Sequence, residues 1–316
     1  MVKRSYDLGF RLGTGLFGIV LVLVVVAIGF ELTRQSMLSI QKFGFNFWRT
    51  EIWDPVAGNF GALPFIWGTL YSSILALLLA APIALGIAVF ISELSPAALR
   101  QPLVFLTELL AAIPSIVYGL WGIFVMVPAV RAFETAMPAS LRQWPVLSGP
   151  PFGVGMLSAG LILAIMVIPF TSSVAREVLK SVPMAQREGA YALGATRFEA
   201  IAAALFYART GIVGAVMLGF GRALGETMAV TMVIGNNPQV SLSLFAPQYT
   251  MAAVIANEFT EAADELYLDA LIEIGLVLFV ITLIVNSLSR LLIWSMARSA
   301  KTAPAPAAAT PADAVA

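Results

Sequence analysis

The sequence is 316 residues long, and its composition is that of a protein embedded in a lipid bilayer. Hydrophobic residues make up 59% of it and charged residues only 11%, against about 25% in ordinary soluble domains. The 18 basic and 18 acidic side chains cancel, so no net field favours nucleic acid as a partner. Cysteine and histidine are absent, which excludes disulfides, thiol nucleophiles, the usual zinc sites and histidine-based triads. We therefore predict an integral membrane protein without catalytic residues or a metal site.

Six apolar stretches are long enough to cross a bilayer as helices. A crossing needs about 20 consecutive apolar residues, and backbone groups that face lipid must be hydrogen-bonded within their own segment. The sequence therefore predicts an all-α membrane protein with six transmembrane helices. The predicted spans are residues 12–30, 64–91, 102–130, 152–175, 211–234 and 271–294.

The basic residues divide unequally between the two sides of these spans. Because basic residues are retained on the cytoplasmic side, we predict that both termini and the loop at 176–210 are cytoplasmic. The protein is then a multi-pass protein of the cytoplasmic (inner) membrane. The side of the termini carries Lys3, Arg4, Arg11, Arg100, Arg176, Lys180, Arg187, Arg197, Arg209, Arg290, Arg298 and Lys301, and the opposite side carries Arg34, Lys42, Arg49, Arg131 and Arg142.

The spans divide the chain into three regions. Residues 1–63 hold the first helix and an outer loop, residues 64–295 form the main transmembrane domain, and residues 296–316 form a cytoplasmic tail. From residue 302 onward the tail is rich in proline, alanine and threonine, which predicts disorder. Residues 239–257 are apolar, but prolines and polar side chains interrupt them. We predict an outer segment along the membrane there, and not a seventh span.

The loop at 176–210 carries the clearest local pattern. Its Ser-Val-Pro at 181–183 is a helix-start signal, and Gly194 interrupts the helical pattern that follows. A glycine at that place predicts a sharp turn between two short helices. The sequence EGAYALG at 188–194 resembles the E-A-A-x-x-x-G signature of ABC importer permeases. A solvated connector without a partner is the alternative interpretation of such a loop.

This resemblance implies a loop that couples transport to ATP hydrolysis on another protein. In the family the loop forms a coupling helix that docks into a groove on the ATPase subunit, and Glu188, Gly189, Ala190 and Gly194 occupy its signature positions. Gly189 departs from the usual alanine, and the proline usual near the end of the signature is missing. ATP and Mg are then bound by the partner, and no lysine of this chain follows glycine in a G-x-x-x-x-G-K-[ST] loop. The chain itself is accordingly expected to be neither an enzyme nor a cofactor-binding protein.

An arginine lies within the fifth predicted span. If the helix enters the membrane at Gly211 and rises about 1.5 Å per residue, Arg222 lies about 16 Å deep, near the middle of a hydrocarbon layer of about 30 Å. A central arginine costs about 2.5 to 3.5 kcal/mol on insertion, so it is expected to face a partner or a water-filled path. Glu226 follows four residues later and is predicted to share the same helix face.

Two interpretations of this pair are open. In the first, a salt bridge between Arg222 and Glu226 stabilises the packing of helices, which the surrounding glycines allow to approach closely. In the second, Arg222 lines an anion path, because a guanidinium matches the oxygens of phosphate well. Glu226 then holds the guanidinium in place and keeps anion binding moderate by competing for it.

The sequence around this pair is similar to the PstC-type permease subunits of phosphate ABC importers. The similarity rests on GFGRALGETMAVT at 219–231 and IPSIVYGLWG at 113–122, together with the coupling loop. It implies the type I ABC importer permease fold and a role as transmembrane subunit of an ATP-driven phosphate importer. The implied partners are a second, PstA-type permease, a dimer of ATP-binding subunits, an extracytoplasmic phosphate-binding protein and membrane lipid, and no nucleic acid.

Two further residues complete the predicted path. Ser115 lies in the third predicted span, and Thr227 lies beside Glu226. Pro114 removes a backbone hydrogen bond from the third span, which predicts a kink. The hydroxyl of Ser115 is a potential donor to a passing oxyanion, with ordinary packing between helices as the alternative.

Other functions are not excluded by the residues alone. The cargo of the same machine could be sulfate, molybdate or tungstate, because one guanidinium does not distinguish tetrahedral oxyanions. An ion-driven secondary carrier, with Glu226 or Glu108 relaying protons, is less favoured because no inverted repeat is visible. An intramembrane hydrolase is disfavoured by the lack of the histidine or cysteine that such chemistry uses.

Overall fold

The computed structural model describes residues 2–138 and 140–301, and this part of the chain is built from helices. Two five-residue π-helical segments, Phe90–Leu94 and Gly122–Met126, follow α3 and α5. The α-helices are α1 (Val2–Gln35), α2 (Met37–Phe43), α3 (Leu63–Val89), α4 (Ala97–Ala112), α5 (Ser115–Trp121), α6 (Val127–Ala136), α7 (Met156–Lys180), α8 (Met184–Ala192), α9 (Arg197–Leu224), α10 (Met228–Thr231), α11 (Met251–Glu258) and α12 (Glu265–Lys301).

Among the described residues, six helical segments are long and apolar enough to cross a membrane, as the sequence predicts. The prediction of an all-helical, multi-pass membrane protein is therefore confirmed. The cytoplasmic location of both termini stays a prediction. The six candidate spans are Phe10–Gln35, Leu63–Leu94, Ser115–Ala136, Met156–Lys180, Arg197–Leu224 and Glu265–Met296.

The third span differs from its prediction. The sequence predicts one helix over 102–130, whereas α4 ends at Ala112 and α5 begins at Ser115. Ile113 has an extended backbone with φ −63° and ψ 129°. A residue that precedes proline is driven out of the helical region because the proline ring clashes with it. Pro114 therefore breaks the helix, where the sequence predicts only a kink.

The fifth span also differs from its prediction. The sequence predicts a helix over 211–234, but α9 starts earlier and ends at Leu224, after which only the four-residue α10 follows. Gly225 lies at the C-cap of α9. The side chains of Glu226 and Thr227 then form hydrogen bonds with nearby backbone groups, which compete with continuation of the helix.

The apolar segment at 239–257 does not span a membrane, in agreement with the sequence. The chain is irregular up to Thr250, and the helix that follows, α11, has only eight residues. A helix of that length rises about 12 Å, far less than a hydrocarbon layer of about 30 Å.

The chain forms two compact units, each assembled from three stretches of sequence. The first unit contains the stretch up to Tyr71, Val127–Met156 and Val230–Ile281, and the second contains Ser72–Met126, Leu157–Ala229 and the stretch from Thr282 onward. Aromatic side chains fill the core of the first unit, and its fully or almost fully buried members include Phe47, Phe60, Phe65 and Tyr249.

The second unit packs its helices through small side chains. Ala88 of α3, Ala175 of α7 and Ala208 of α9 are buried in one cluster. Small residues allow helices to approach closely, which is how helices associate within a membrane. At Gly211 of α9 an added methyl group would clash with Val178 of α7. This close contact between α7 and α9 determines the surroundings of Arg222.

The predicted tail falls mostly outside the described residues. α12 continues to Lys301, so residues 296–301 are helical. The disorder predicted for 302–316 lies beyond the part of the chain that the structure describes, and it stays a prediction. The domain boundaries predicted at 63 and 295 likewise stay predictions.

Candidate functional site

Arg222 lies in the last turn of α9, where that helix packs against α7. Gly219, almost one turn earlier, is buried against Thr171 of α7, and a methyl group at Gly219 would overlap the threonine hydroxyl. This close approach brings Phe170 beside the arginine. The guanidinium carbon of Arg222 lies 5.3 Å from the centre of the Phe170 ring. The guanidinium and the aromatic ring are thus within cation–π range.

The guanidinium of Arg222 forms no hydrogen bond with any residue that the structure describes. Its Nε is buried and has no partner. No described carboxylate lies within 4.0 Å of it, Glu226 included. The direct salt bridge that the sequence allowed is therefore not formed in this structure. The unmet N–H donors are free to bind an anion.

Glu226 and Thr227 form the turn that follows Arg222. The Oε1 atom of Glu226 accepts a hydrogen bond from the amide of Ala229 at 3.2 Å, at the start of α10. The Thr227 hydroxyl donates to the Gly225 carbonyl at 3.4 Å. Glu226 and Thr227 are both half-buried. Glu226 thus shapes the turn at the end of α9 and does not continue the helix face of Arg222.

Ser115 is the first residue of α5, directly after the break at Pro114. Its half-buried hydroxyl forms no hydrogen bond within the described chain. Three residues later, the Tyr118 hydroxyl donates to the Leu110 carbonyl of α4 at 2.8 Å and thereby satisfies a carbonyl near the end of that helix. Tyr118 lies within electrostatic range of Arg222. No hydrogen bond joins Ser115 to Arg222 within the described chain.

This arrangement can bind an oxyanion. A guanidinium presents its N–H groups in a planar fork that matches two oxygens of phosphate, and its charge is permanent. The Phe170 ring lies 5.3 Å from the guanidinium carbon of Arg222, whose buried Nε has no hydrogen-bond partner within the described chain. Because burial lowers the local dielectric, a charge-assisted hydrogen bond formed there is stronger than one in water.

Glu108, the other carboxylate considered as a proton relay, forms an ion pair at the surface of the described chain. Its carboxylate is 57% exposed and lies 3.4 Å from Nη2 of Arg176. An ion pair at such an exposed position is screened by solvent. The carboxylate of Glu226 instead accepts a hydrogen bond from the Ala229 backbone amide.

The predicted coupling residues lie on and just after α8, a short helix with no buried residue. Glu188 is exposed and has no hydrogen bond or ion pair within the described chain. Gly189 is exposed too, and an added methyl group would meet no atom within 4 Å, so its departure from alanine is sterically neutral. Ala190 is half-buried, while Tyr191 and Leu193 are 50% and 91% exposed. The helix presents both charge and apolar surface to its surroundings.

The sharp turn predicted at Gly194 is confirmed. Gly194 has φ +83°, a conformation that favours glycine. Its amide donates to the Tyr191 carbonyl at 2.9 Å, and the Ala195 amide donates to the Ala190 carbonyl at 3.1 Å, which is the bonding of a Schellman motif. A capping box at Thr196 then starts α9. These hydrogen bonds fix the backbone at the end of the loop although the usual proline is missing. The second of the two predicted short helices is the first part of the long helix α9.

The structure also joins two residues that the sequence does not single out. Arg187 of α8 binds Glu93, in the π-helical segment after α3, with Nη2 at 2.6 Å from Oε1 and Nε at 3.3 Å from Oε2. Their side chains are only 15% and 13% exposed. No helical periodicity relates two residues that lie 94 positions apart. The available signal was an acidic residue at the predicted cytoplasmic end of a span, where basic residues are expected.

The chain is similar over most of its length to proteins named as phosphate transport permeases. It is 48% identical over 296 residues to the phosphate transport system permease protein PstC of Pasteurella multocida, with 91% of each chain covered. It is 48% identical over 293 residues to the protein of the same name from Haemophilus influenzae, with 91% of this chain and 93% of that one covered. No family model matches the chain.

The fold is similar to that of a chain in the MetNI methionine ABC transporter, solved in inward-facing conformations. The TM-score is 0.56, the sequence identity is 15%, and the alignment covers 73% of this chain and 94% of that one. At this identity the similarity concerns the fold alone. It confirms the predicted fold of an ABC importer permease.

Proposed function

Because the chain belongs to the PstC family of phosphate transport system permeases, we propose that it is a transmembrane subunit of an ATP-driven phosphate importer and forms part of its anion path. The observation that carries this proposal is Arg222, a half-buried arginine whose guanidinium is unbonded within the described chain. A permanent positive charge with free donors is the group that an oxyanion needs in a low-dielectric path.

The path residues have distinct roles in this proposal. Arg222 makes the direct contact with phosphate through guanidinium N–H groups that have no partner within the described chain. Ser115 adds a hydroxyl donor from the start of α5. Glu226 and Thr227 fix the turn at the end of α9, and thereby hold Arg222 in place without neutralising it. Phosphate therefore binds to one charge and a few neutral donors, which allows release as well as capture.

Coupling to ATP is assigned to α8 and the turn after it. The exposed surface around Glu188, Gly189, Ala190 and Gly194 docks on a dimer of ATP-binding subunits, which bind ATP and Mg, and this chain binds no cofactor. A second, PstA-type permease completes the path, and an extracytoplasmic phosphate-binding protein delivers the anion. ATP binding draws the coupling helices together and opens the path outward, and hydrolysis resets it inward.

The test is phosphate uptake in cells that lack their own high-affinity transporter. The chain is expressed with its second permease, ATPase and binding protein, and Arg222→Gln is compared with Arg209→Gln. Arg209 is a matched control because it lies on the same helix and its guanidinium carbon is 4.2 Å from the centre of the Phe206 ring. Losing a hydrogen bond to a charged group costs about 1.5–3 kcal/mol, so we expect uptake to fall about tenfold or more in Arg222→Gln and to persist in Arg209→Gln.

The outcomes separate the proposal from its alternatives. Normal uptake by an assembled Arg222→Gln complex would remove the arginine from the path. Uptake of sulfate or molybdate in place of phosphate would support an ATP-driven importer with a different oxyanion as its substrate. Uptake that continues without the ATPase would identify an ion-driven carrier.

A further inference from the structure

One guanidinium ties α8 to two other elements of the second unit. Besides both carboxylate oxygens of Glu93, Arg187 binds the Val182 carbonyl through Nη1 at 2.9 Å and the Leu179 carbonyl through Nη2 at 3.1 Å. Leu179 lies in the last turn of α7, where backbone carbonyls have no helical partner. Arg187 therefore connects α8 both to the end of α7 and to the segment that follows α3.

Arg187 differs in this respect from the rest of its helix. Within the described chain, no other side chain of α8 forms a hydrogen bond or an ion pair, and Gln186, Glu188 and Tyr191 are exposed. Adjacent positions on a helix point in different directions, so Arg187 faces the second unit while Glu188 points away from it. Arg187 therefore provides the side-chain hydrogen bonds and the ion pair through which α8 is joined to α7 and to the segment after α3.

Glu93 is held by the coupling loop at two points. Its carboxylate binds Arg187, and its backbone carbonyl accepts a hydrogen bond from Nη2 of Arg197 at 2.6 Å. Arg197 is the first residue of α9, so the helices on both sides of Gly194 hold the same residue. Glu93 belongs to the π-helical segment that continues α3 without interruption. Movement of the loop thus reaches the end of a membrane-spanning helix at one residue.

The environment of this pair makes it a firm connection. A bidentate arginine–carboxylate pair fixes geometry as well as charge, and shielding from water strengthens it. By contrast, Lys180 and Glu177 form a pair at 3.3 Å with side chains 47% and 60% exposed, where solvent and salt screen the charges. Lys180 gives a matched comparison for Arg187, because it is a basic residue seven positions earlier whose ion pair is exposed.

We propose that the ion pair between Arg187 and Glu93 is the joint through which displacement of α8 by an ATPase moves α3. The proposal rests on the function proposed above and adds two residues to its coupling machinery. Arg187 and Glu93 are positioning residues, since neither touches phosphate nor ATP. Without the pair, the outer face of α8 still docks on its partner, but its movement is no longer passed to α3.

The test uses the complete transporter reconstituted in liposomes. ATP hydrolysis is measured with and without the phosphate-binding protein, together with the phosphate transported per ATP hydrolysed. In Glu93→Gln and in Arg187→Gln we expect the transported phosphate per ATP to fall about tenfold, the size expected for losing one charge-assisted contact, while ATP hydrolysis continues. Arg187→Lys, which keeps the charge facing Glu93, retains more coupling than Arg187→Gln. Lys180→Gln is the control and keeps the unsubstituted ratio.

Three results would count against the joint. An unchanged ratio in both glutamine variants would overturn it. Loss of the ATPase from the purified variant complexes would overturn it too, because the pair would then serve assembly. If the complex without substitutions transports no phosphate, the proposed function is rejected instead. The joint is then tested by comparing how strongly the binding protein stimulates ATP hydrolysis in the glutamine variants and in the unsubstituted complex.

Discussion

Two arginines of the second unit use their guanidinium groups in opposite ways. Arg187 directs its nitrogens to the carboxylate of Glu93 and to two backbone carbonyls, whereas Arg222 has no hydrogen bond within the described chain and lies beside the ring of Phe170. Buried polar groups are normally satisfied, and the buried Nε of Arg222 has no hydrogen-bond partner within the described chain, so it is available to a ligand. Arg187 joins parts of the protein, and Arg222 is available to bind the transported anion.

The largest expected difference between the two arginines is in stability. Replacing Arg187 by leucine leaves the carboxylate of Glu93 shielded and unpaired, which costs about 3–5 kcal/mol for a buried pair. Replacing Arg222 by leucine removes a side chain without a hydrogen-bond partner, and we expect no comparable loss. The unfolding midpoint of the purified complex measures both, with Lys180→Leu as the exposed control. Equal losses for Arg187→Leu and Arg222→Leu would erase the distinction.

A smaller effect tests whether Arg222 depends on a neighbouring carboxylate. Glu226→Gln keeps an oxygen that can accept the hydrogen bond from the Ala229 amide, whereas Glu226→Ala removes this cap, and a lost cap costs about 1 kcal/mol. We therefore expect Glu226→Gln to keep more phosphate uptake and a higher unfolding midpoint than Glu226→Ala. If Glu226 acts instead as the charge partner of Arg222, the glutamine variant will be as harmful as the alanine variant.

The smallest expected effect concerns the outer side of α8, opposite Arg187. An added methyl group at Gly189 meets no atom within 4 Å, and glycine inside a helix is about 0.5–1 kcal/mol less favourable than alanine. Gly189→Ala is expected to raise the unfolding midpoint slightly. Gly194→Ala is the matched control and lowers it, because φ +83° strains any residue with a Cβ atom. A shift in the same direction for both glycines would contradict this account of the loop.

The features that the sequence predicts well are those that depend on local chemistry. The six spans follow from apolar length, because each must satisfy its backbone groups within itself. The turn at Gly194 follows from the backbone freedom of one glycine. The isolation of Glu188 on an exposed helix surface agrees with the signature that the sequence carries.

Helix ends inside apolar stretches were harder to predict. Hydrophobicity shows how long an apolar stretch is. It does not show where the backbone stops forming the hydrogen bonds of an α-helix. At Pro114 the preceding residue becomes extended, and at Gly225 the side chains of Glu226 and Thr227 capture the backbone. The predicted helix face shared by Arg222 and Glu226 was wrong for that reason.

Contacts between distant parts of the chain lay outside local reasoning altogether. Phe170 meets Arg222 only because Gly219 lets α9 approach α7 closely. Glu93 meets Arg187 only because the coupling loop returns to the end of α3. In both cases the sequence shows the charged residue, and only the packing of helices supplies its neighbour.

The π-helical segment Phe90–Leu94 sets the direction in which Glu93 points. A π-turn holds about one more residue than an α-turn, and one residue corresponds to roughly 100° around a helix. Relative to a regular α-helix, side chains near the end of the segment, Glu93 among them, are therefore rotated about the helix axis. This rotation separates the direction of the apolar side chains of α3 from that of the acidic side chain at its end. The apolar side chains can then face other helices while Glu93 faces Arg187.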